Sequence, residues 1–150
     1  MRRKIKIHHV FISYSIRETE EAEVVRNILE KNRIACWIAP RDIPGGSNYT
    51  EEIPVAIQEC QVFLLILSEN AQKSTRVPRE LEAAVNCGKV IIPFMLEEFQ
   101  LNNEFNFLLG AKHRYAAYQN NAEIMQILIE RIRAIIGDEM PEPGIEKKPV

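Results

Sequence analysis

Residues 62–96 read VFLLILSENAQKSTRVPRELEAAVNCGKVIIPFML. Two apolar runs, VFLLIL at 62–67 and VIIPFML at 90–96, enclose a polar segment. Neither run alternates apolar with polar residues, so each predicts a strand covered on both faces, as in a parallel sheet. Between them Val77, Leu81, Ala84 and Val85 recur at helical spacing. The spacing predicts a helix from about Val77 to Cys87, stopped by Gly88, a natural left-handed residue after a helix end. ENAQKST at 69–75 reads as a loop. Pro93 predicts that the second strand bends or lies nearer a sheet edge toward its end.

The same alternation continues outward. IKIHHVFISYS predicts a strand over about 6–13. TEEAEVVRNILEKN follows, with Ala22, Val25, Ile28 and Leu29 on one helical stripe. Thr19 is placed to cap that helix, and Glu18 and Glu20 suit its start. RIACWI at 33–38 is a short strand, and APRDIPGGSN at 39–48 is a loop. YTEEIPVAIQEC carries Ile53, Ala56 and Ile57 at helical spacing, with Pro54 weakening its first turn. EEFQLNNEFNFLLGA reads as irregular, and KHRYAAY as a last short strand. NAEIMQILIERIRAIIG is an amphipathic helix, with Ile124, Ile127, Leu128, Ile132 and Ile135 assigned to its buried face. Strands alternating with helices imply an α/β fold: an open parallel sheet with helices on both faces. Ligands of such folds sit beyond the carboxyl ends of the strands. That rim falls here at residues 13–17, 39–47, 68–75 and 96–99.

The chain of 150 residues, 46% hydrophobic and 27% charged, is expected to form one domain. Its expected limits are 8–137, between a basic N-terminal tail at 1–7 and a proline-rich polar tail or linker at 138–150. A net charge of −2 supplies no global field that would draw nucleic acid or an anionic membrane. The apolar runs fall short of the ~20 residues that span a bilayer, and no signal-type apolar region follows MRRKIK. A cytoplasmic location is expected. Cys36, Cys60 and Cys87 are odd in number and lack CxxC spacing, which predicts three buried free thiols in a reducing compartment. His8, His9 and His113 show no ligand spacing with them, so no metal site is expected.

Several α/β chemistries lack their motifs. The sequence has no GxxxxGK[ST] phosphate loop, no GxGxxG after the first strand and no GxSxG elbow. FISYS ends without the paired acids that a phosphate-accepting receiver needs to hold a metal. What remains at the rim is Glu80. An acid in a first helical turn is stabilised by ~0.3–1 kcal/mol through the helix dipole, which would explain it without chemistry. Pro78 fits the first helical position, which puts Glu80 two residues later, while Val77 gives it no capping-box partner. Glu80 lies at the edge of the apolar stripe, turned toward the rim. The residues alone leave both roles open.

Four segments in order resemble the Toll/interleukin-1 receptor (TIR) domain family over about residues 8–137. VFISYS resembles its first strand, and CWIAPRDIPGGSNYTEEIPVAI its second strand, BB loop and next helix. VFLLILSENAQKS resembles the third strand and its exit, and RVPRELEAAVNCGKVIIPF the active-site helix and fourth strand. The resemblance implies a flavodoxin-like three-layer fold with five parallel strands. It also implies one of two roles. Some members are adaptors that assemble through the BB loop; others cleave NAD between nicotinamide and ribose with a glutamate in the helix after the third strand. By position that glutamate is Glu80. Ser13 and Ser15 would line the nicotinamide–ribose pocket, Arg17 would meet a phosphate, and Arg41, Asp42 and Ile43 would act from the BB loop (39–47). Tyr14 and Trp37 read as packing residues. Arg76 stands where enzymatic members carry an aromatic residue, usually Trp, and its guanidinium can stack on a base instead.

The reading favoured is therefore a bacterial NAD-cleaving enzyme that needs no cofactor beyond its substrate. It would form ADP-ribose or a cyclic ADP-ribose signal in antiphage immunity. It would self-associate through TIR–TIR contacts and act with a separate or fused sensor or effector, without nucleic acid or membrane. The alternative is a non-enzymatic TIR adaptor or a mimic of host TIR domains. A third reading, an unrelated flavodoxin-like binding module, would announce itself by bound flavin.

Overall fold

Five strands form one parallel sheet in the order β2-β1-β3-β4-β5, in a computed structural model that describes residues 8–46 and 48–137. The tails expected at 1–7 and 138–150 lie outside the described residues, as does Ser47 of the expected loop. The strands are β1 (Val10–Ser13), β2 (Cys36–Trp37), β3 (Val62–Leu67), β4 (Val90–Met95) and β5 (Tyr115–Ala116). The helices are α1 (Thr19–Lys31), α2 (Tyr49–Glu59), α3 (Glu69–Lys73), α4 (Arg76–Asn86), α5 (Asn103–Leu109) and α6 (Asn121–Ile136). A 3₁₀ turn, Ile16–Glu18, joins β1 to α1. The order is the flavodoxin-like one expected.

The uninterrupted apolar run at 62–67 explains the centre. Every residue of β3 is buried, because β1 and β4 flank it and helices cover both its faces. Alternate side chains point to opposite layers. Val62, Leu64 and Ile66 pack with Ala22, Val25 and Leu29 of α1 and with Leu128 and Ile132 of α6. Phe63, Leu65 and Leu67 pack with Ile57 of α2, Ala71 of α3, Leu81 of α4 and Phe105 of α5. Burying one such side chain contributes roughly 1.5–3 kcal/mol.

The structure corrects several expectations. Residues 69–73 are helical rather than loop, because Ser68 Oγ accepts from Ala71 N at 3.0 Å and caps α3. The stretch taken as irregular contains α5, capped by Asn102 Oδ1 accepting from Phe105 N at 2.9 Å. Pro93 stands inside a six-residue ladder, opposite Leu65, on an open side of β4 as the proline predicts, although the strand is edged along its first residues rather than toward its end. β5 pairs only with Phe94 and Met95, which leaves the outer side of β4 open where the residue without an N–H sits. β2 is two residues rather than six. In α6 the buried residues are Met125, Leu128, Ile129, Ile132 and Ile136, while Ile127 is exposed. Cys36 and Cys60 are buried, but Cys87, at the end of α4, is exposed.

Candidate active site

α4 positions the carboxylate. Ser74 Oγ accepts from Arg76 N at 3.2 Å and from Val77 N at 3.3 Å, so the helix opens at Arg76 and Pro78 is its third residue. Glu80 is consequently the fifth residue, past the first turn, and the helix-dipole explanation for it lapses. Nor does it lie at the edge of the apolar stripe. It sits within it, with Val77, Leu81 and Ala84, and is 4% exposed.

A carboxylate in that position needs partners. Ser13, wholly buried at the end of β1, donates from Oγ to Glu80 Oε1 at 2.7 Å. Arg76, one turn back on α4, places Nε 3.0 Å from Glu80 Oε2. Its Nη2 donates to the Tyr14 carbonyl at 3.1 Å, and the guanidinium carbon stands 5.5 Å from the centre of the Tyr14 ring. Burial pushes the Glu80 carboxyl up to about 7, against the opposing pull of Arg76 and of the Ser13 hydroxyl.

In front of this group opens a cleft of about 560 Å³, within the range of small-molecule sites. The exit of β1 lines it with Tyr14, Ser15 and Arg17, α3 with Asn70 and Lys73, and the start of α4 with Arg76. It lies where the connections from β1 and β3 diverge, the switch point of an open α/β sheet. Ser15 is the cap of the 3₁₀ turn and accepts from Arg17 N at 3.2 Å. The Arg17 side chain is exposed and forms no ion pair among the described residues. Ser13, Ser15, Arg17, Arg76 and Glu80 are thus brought together.

The loop residues are placed elsewhere. Arg41 makes a fork on Glu30 of α1, Nη1 to Oε1 at 2.9 Å and Nη2 to Oε2 at 2.8 Å, and also reaches the Cys36 carbonyl at 2.8 Å. Asp42 pairs with Arg41 and accepts from Ile38 N at 2.9 Å. Ile43 packs against the α2–α5 side of the core. The Tyr14 hydroxyl donates to the Ala39 carbonyl and ties the loop's entry to the end of β1. Trp37 is buried and stacks on Phe11 at 5.0 Å, in the core as expected.

Glu18 escaped the sequence reading. Its position suits a helix-start acid, yet it is 6% exposed. Its Oε1 accepts from Ser68 Oγ and its Oε2 from Asn70 Nδ2 at 2.6 Å. It therefore fastens the β1 exit to the β3 exit beneath the cleft. Glu18, Glu20 and Glu21 look alike in sequence; nothing local marks the one that turns inward. Among the described residues no group of three or more His, Cys, Asp or Glu is arranged to hold a metal ion.

The sequence matches the family described as TIR domain over residues 10–129. The chain belongs to the TIR domain family. No curated protein matches the chain significantly. Among solved structures, the TIR domain of the Toll-related receptor TRR-2 from Hydra magnipapillata is similar at a TM-score of 0.70 and 19% identity. That match covers 83% of this chain and 97% of the other. A CMP N-glycosidase, BcmB, from Clostridium botulinum gives 0.59 at 22% identity, covering 80% and 97%. A TIR-STING receptor from C. gigas gives 0.63 at 21%, covering 84% of this chain and 41% of that one. At these identities the solved structures establish the TIR fold alone. Among the described residues no helix of this TIR domain is long and apolar enough to cross a membrane.

Proposed function

We propose that this TIR domain cleaves the nicotinamide–ribose bond of NAD, with Glu80 as the catalytic carboxylate. One observation carries the reading: a carboxylate buried at the switch point, held by Ser13 and Arg76, behind a cleft large enough for a nucleotide. When the bond between ribose C1′ and the ring nitrogen breaks, its electron pair goes to nitrogen and nicotinamide leaves neutral. Positive charge is left on the ribose, and a fixed carboxylate in a dry site stabilises it. Water then adds to C1′ and releases a proton, giving ADP-ribose. Attack by a nucleophile of the same molecule instead gives a cyclic ADP-ribose, the form suited to signalling in antiphage immunity. The CMP N-glycosidase on the same fold supports the reading, since that enzyme by its name also breaks an N-glycosidic bond.

Assembly belongs to the same proposal. TIR domains of this fold are known in an RPS4–RRS1 heterodimer and in the activated Roq1 resistosome. We expect this TIR domain to self-associate, with the loop after β2 in the contact. A second reading, assembly without catalysis, is favoured by one feature: Arg76 already satisfies the carboxylate and covers it. The deciding experiment is mass-resolved chromatography of NAD incubated with concentrated protein, beside Glu80→Gln. Nicotinamide release that disappears in the variant supports the enzyme. No release at any protein concentration leaves the assembly reading.

A further inference from the structure

Glu80 does not line the cleft in front of it; Arg76 does. The guanidinium stands between the carboxylate and the ligand space, with Nε on Glu80 and Nη2 on the Tyr14 carbonyl. An arginine carries five donors, and the Arg76 side chain is 36% exposed, so the rest of its fork is open to the cleft. Lys73 and Arg17 stand on the same cleft. Among the described residues Lys73 is engaged only by the exposed Glu69, at 3.1 Å, within its own helix. The cleft thus presents cationic groups around a mouth whose two buried acids are both engaged, Glu18 by Ser68 and Asn70 and Glu80 by Ser13 and Arg76.

We propose that Arg76 is an exchangeable partner: a phosphate carried next to the ribose draws its guanidinium off Glu80, and only then does the carboxylate face the sugar. Substrates would therefore be phosphorylated N-ribosides, and the same N-riboside without phosphate would fail to uncover the site. The chemistry fits the fork. Guanidinium pairs with phosphate in two-point geometry at least as well as with a carboxylate, and Arg17 and Lys73 add charge that favours the phosphate. Arg76 pivots on its own side chain, so the exchange requires no movement of α4. This inference rests on the N-glycosidase reading and specifies which substrates that site accepts.

The test uses the full chain as wild type, Arg76→Ala, Arg76→Lys and Glu80→Gln, with nicotinamide mononucleotide and nicotinamide riboside as paired probes. Wild type is expected to prefer the mononucleotide by roughly ten- to hundredfold in kcat/KM, the worth of one charge-assisted contact. Arg76→Ala is expected to lose most of the preference, keeping only what Arg17 and Lys73 supply, and Arg76→Lys to restore part of it. An unchanged preference in Arg76→Ala overturns the exchange. A second measurement needs no turnover: NMR of the Arg76 Nε–H and the Glu80 carboxyl during addition of inorganic pyrophosphate. Exchange shifts the Arg76 resonance and raises the Glu80 titration together in wild type. If both stay in place at saturating pyrophosphate, the exchange is wrong. Wild type inert toward NAD, the mononucleotide and the riboside alike would sink the N-glycosidase reading, while the resonances still decide the exchange.

Discussion

At Glu80 two opposed influences meet, and burial wins. The folded carboxyl titrates at about 7 and its ordinary value is 4.5. Between those values the folded state holds more protons than the unfolded one, so stability falls as pH rises through this window and levels off above it. The gap is worth about 3 kcal/mol at most. Glu80→Gln is therefore expected to be more stable than wild type by roughly 1–3 kcal/mol at pH 8, and equal or weaker at pH 4; urea melts at the two values check this. Ser13→Ala removes a donor to the ionised form. It is expected to move the Glu80 titration upward and to cost about 1–3 kcal/mol in alkaline solution, read by carboxyl NMR and the same melts. The helix pattern marked Glu80 only as an acid near the sheet rim; its role was legible through the family resemblance alone. Its depth was not, since Pro78 fits a first helical position and Ser74, four residues earlier, is what sets the start. Glu18 was illegible because its partners, Ser68 and Asn70, lie some fifty residues away.

Long elements announced themselves and short ones did not. The stripe of α1 and the apolar run of β3 were readable because many residues repeat one signal. α3 and α5 span 5 and 7 residues, too few for periodicity to show, and each depends on one cap. Asn102→Ala is expected to cost about 1 kcal/mol, seen as a lower urea midpoint, and to speed amide exchange across 103–109. In α6 the buried face lies roughly a quarter of a turn from the one the isoleucines predict. Isoleucine occurs on several sides of the helix, and composition alone does not say which side meets the sheet. Ile127→Ala is expected to change stability by no more than about 0.5 kcal/mol, whereas Ile132→Ala, wholly buried, should cost about 2–5 kcal/mol. Equal effects of the two would mean that α6 is rotated from its described orientation.

For the molecule as a whole, the crossover pattern gave the layers, and strand order gave the cleft its place between β1 and β3. The loop after β2 was legible as a loop, but not as one clamped to the body. Arg41 holds it to Glu30, whose carboxyl burial would raise but the bonds from Arg41 and Arg26 keep below its ordinary value. Arg41→Ala is expected to quicken amide exchange at 38–43 several-fold while leaving β3 and β4 as protected as before. Uniform loss of protection would instead make the clamp part of the global fold. The three thiols divide unevenly over this body. Burial pushes Cys60 up to about 12 and Cys36 well above its ordinary value, while Cys87 stands exposed as the cap residue of α4. Without any substitution, a maleimide dye would therefore attach at one position, on the same helix as Arg76 and Glu80 and about 10 Å along it from the carboxylate. The chain thus carries a single reporting handle on the helix that bears its candidate site, so ligand entry to the cleft and any self-association could be followed by fluorescence in real time.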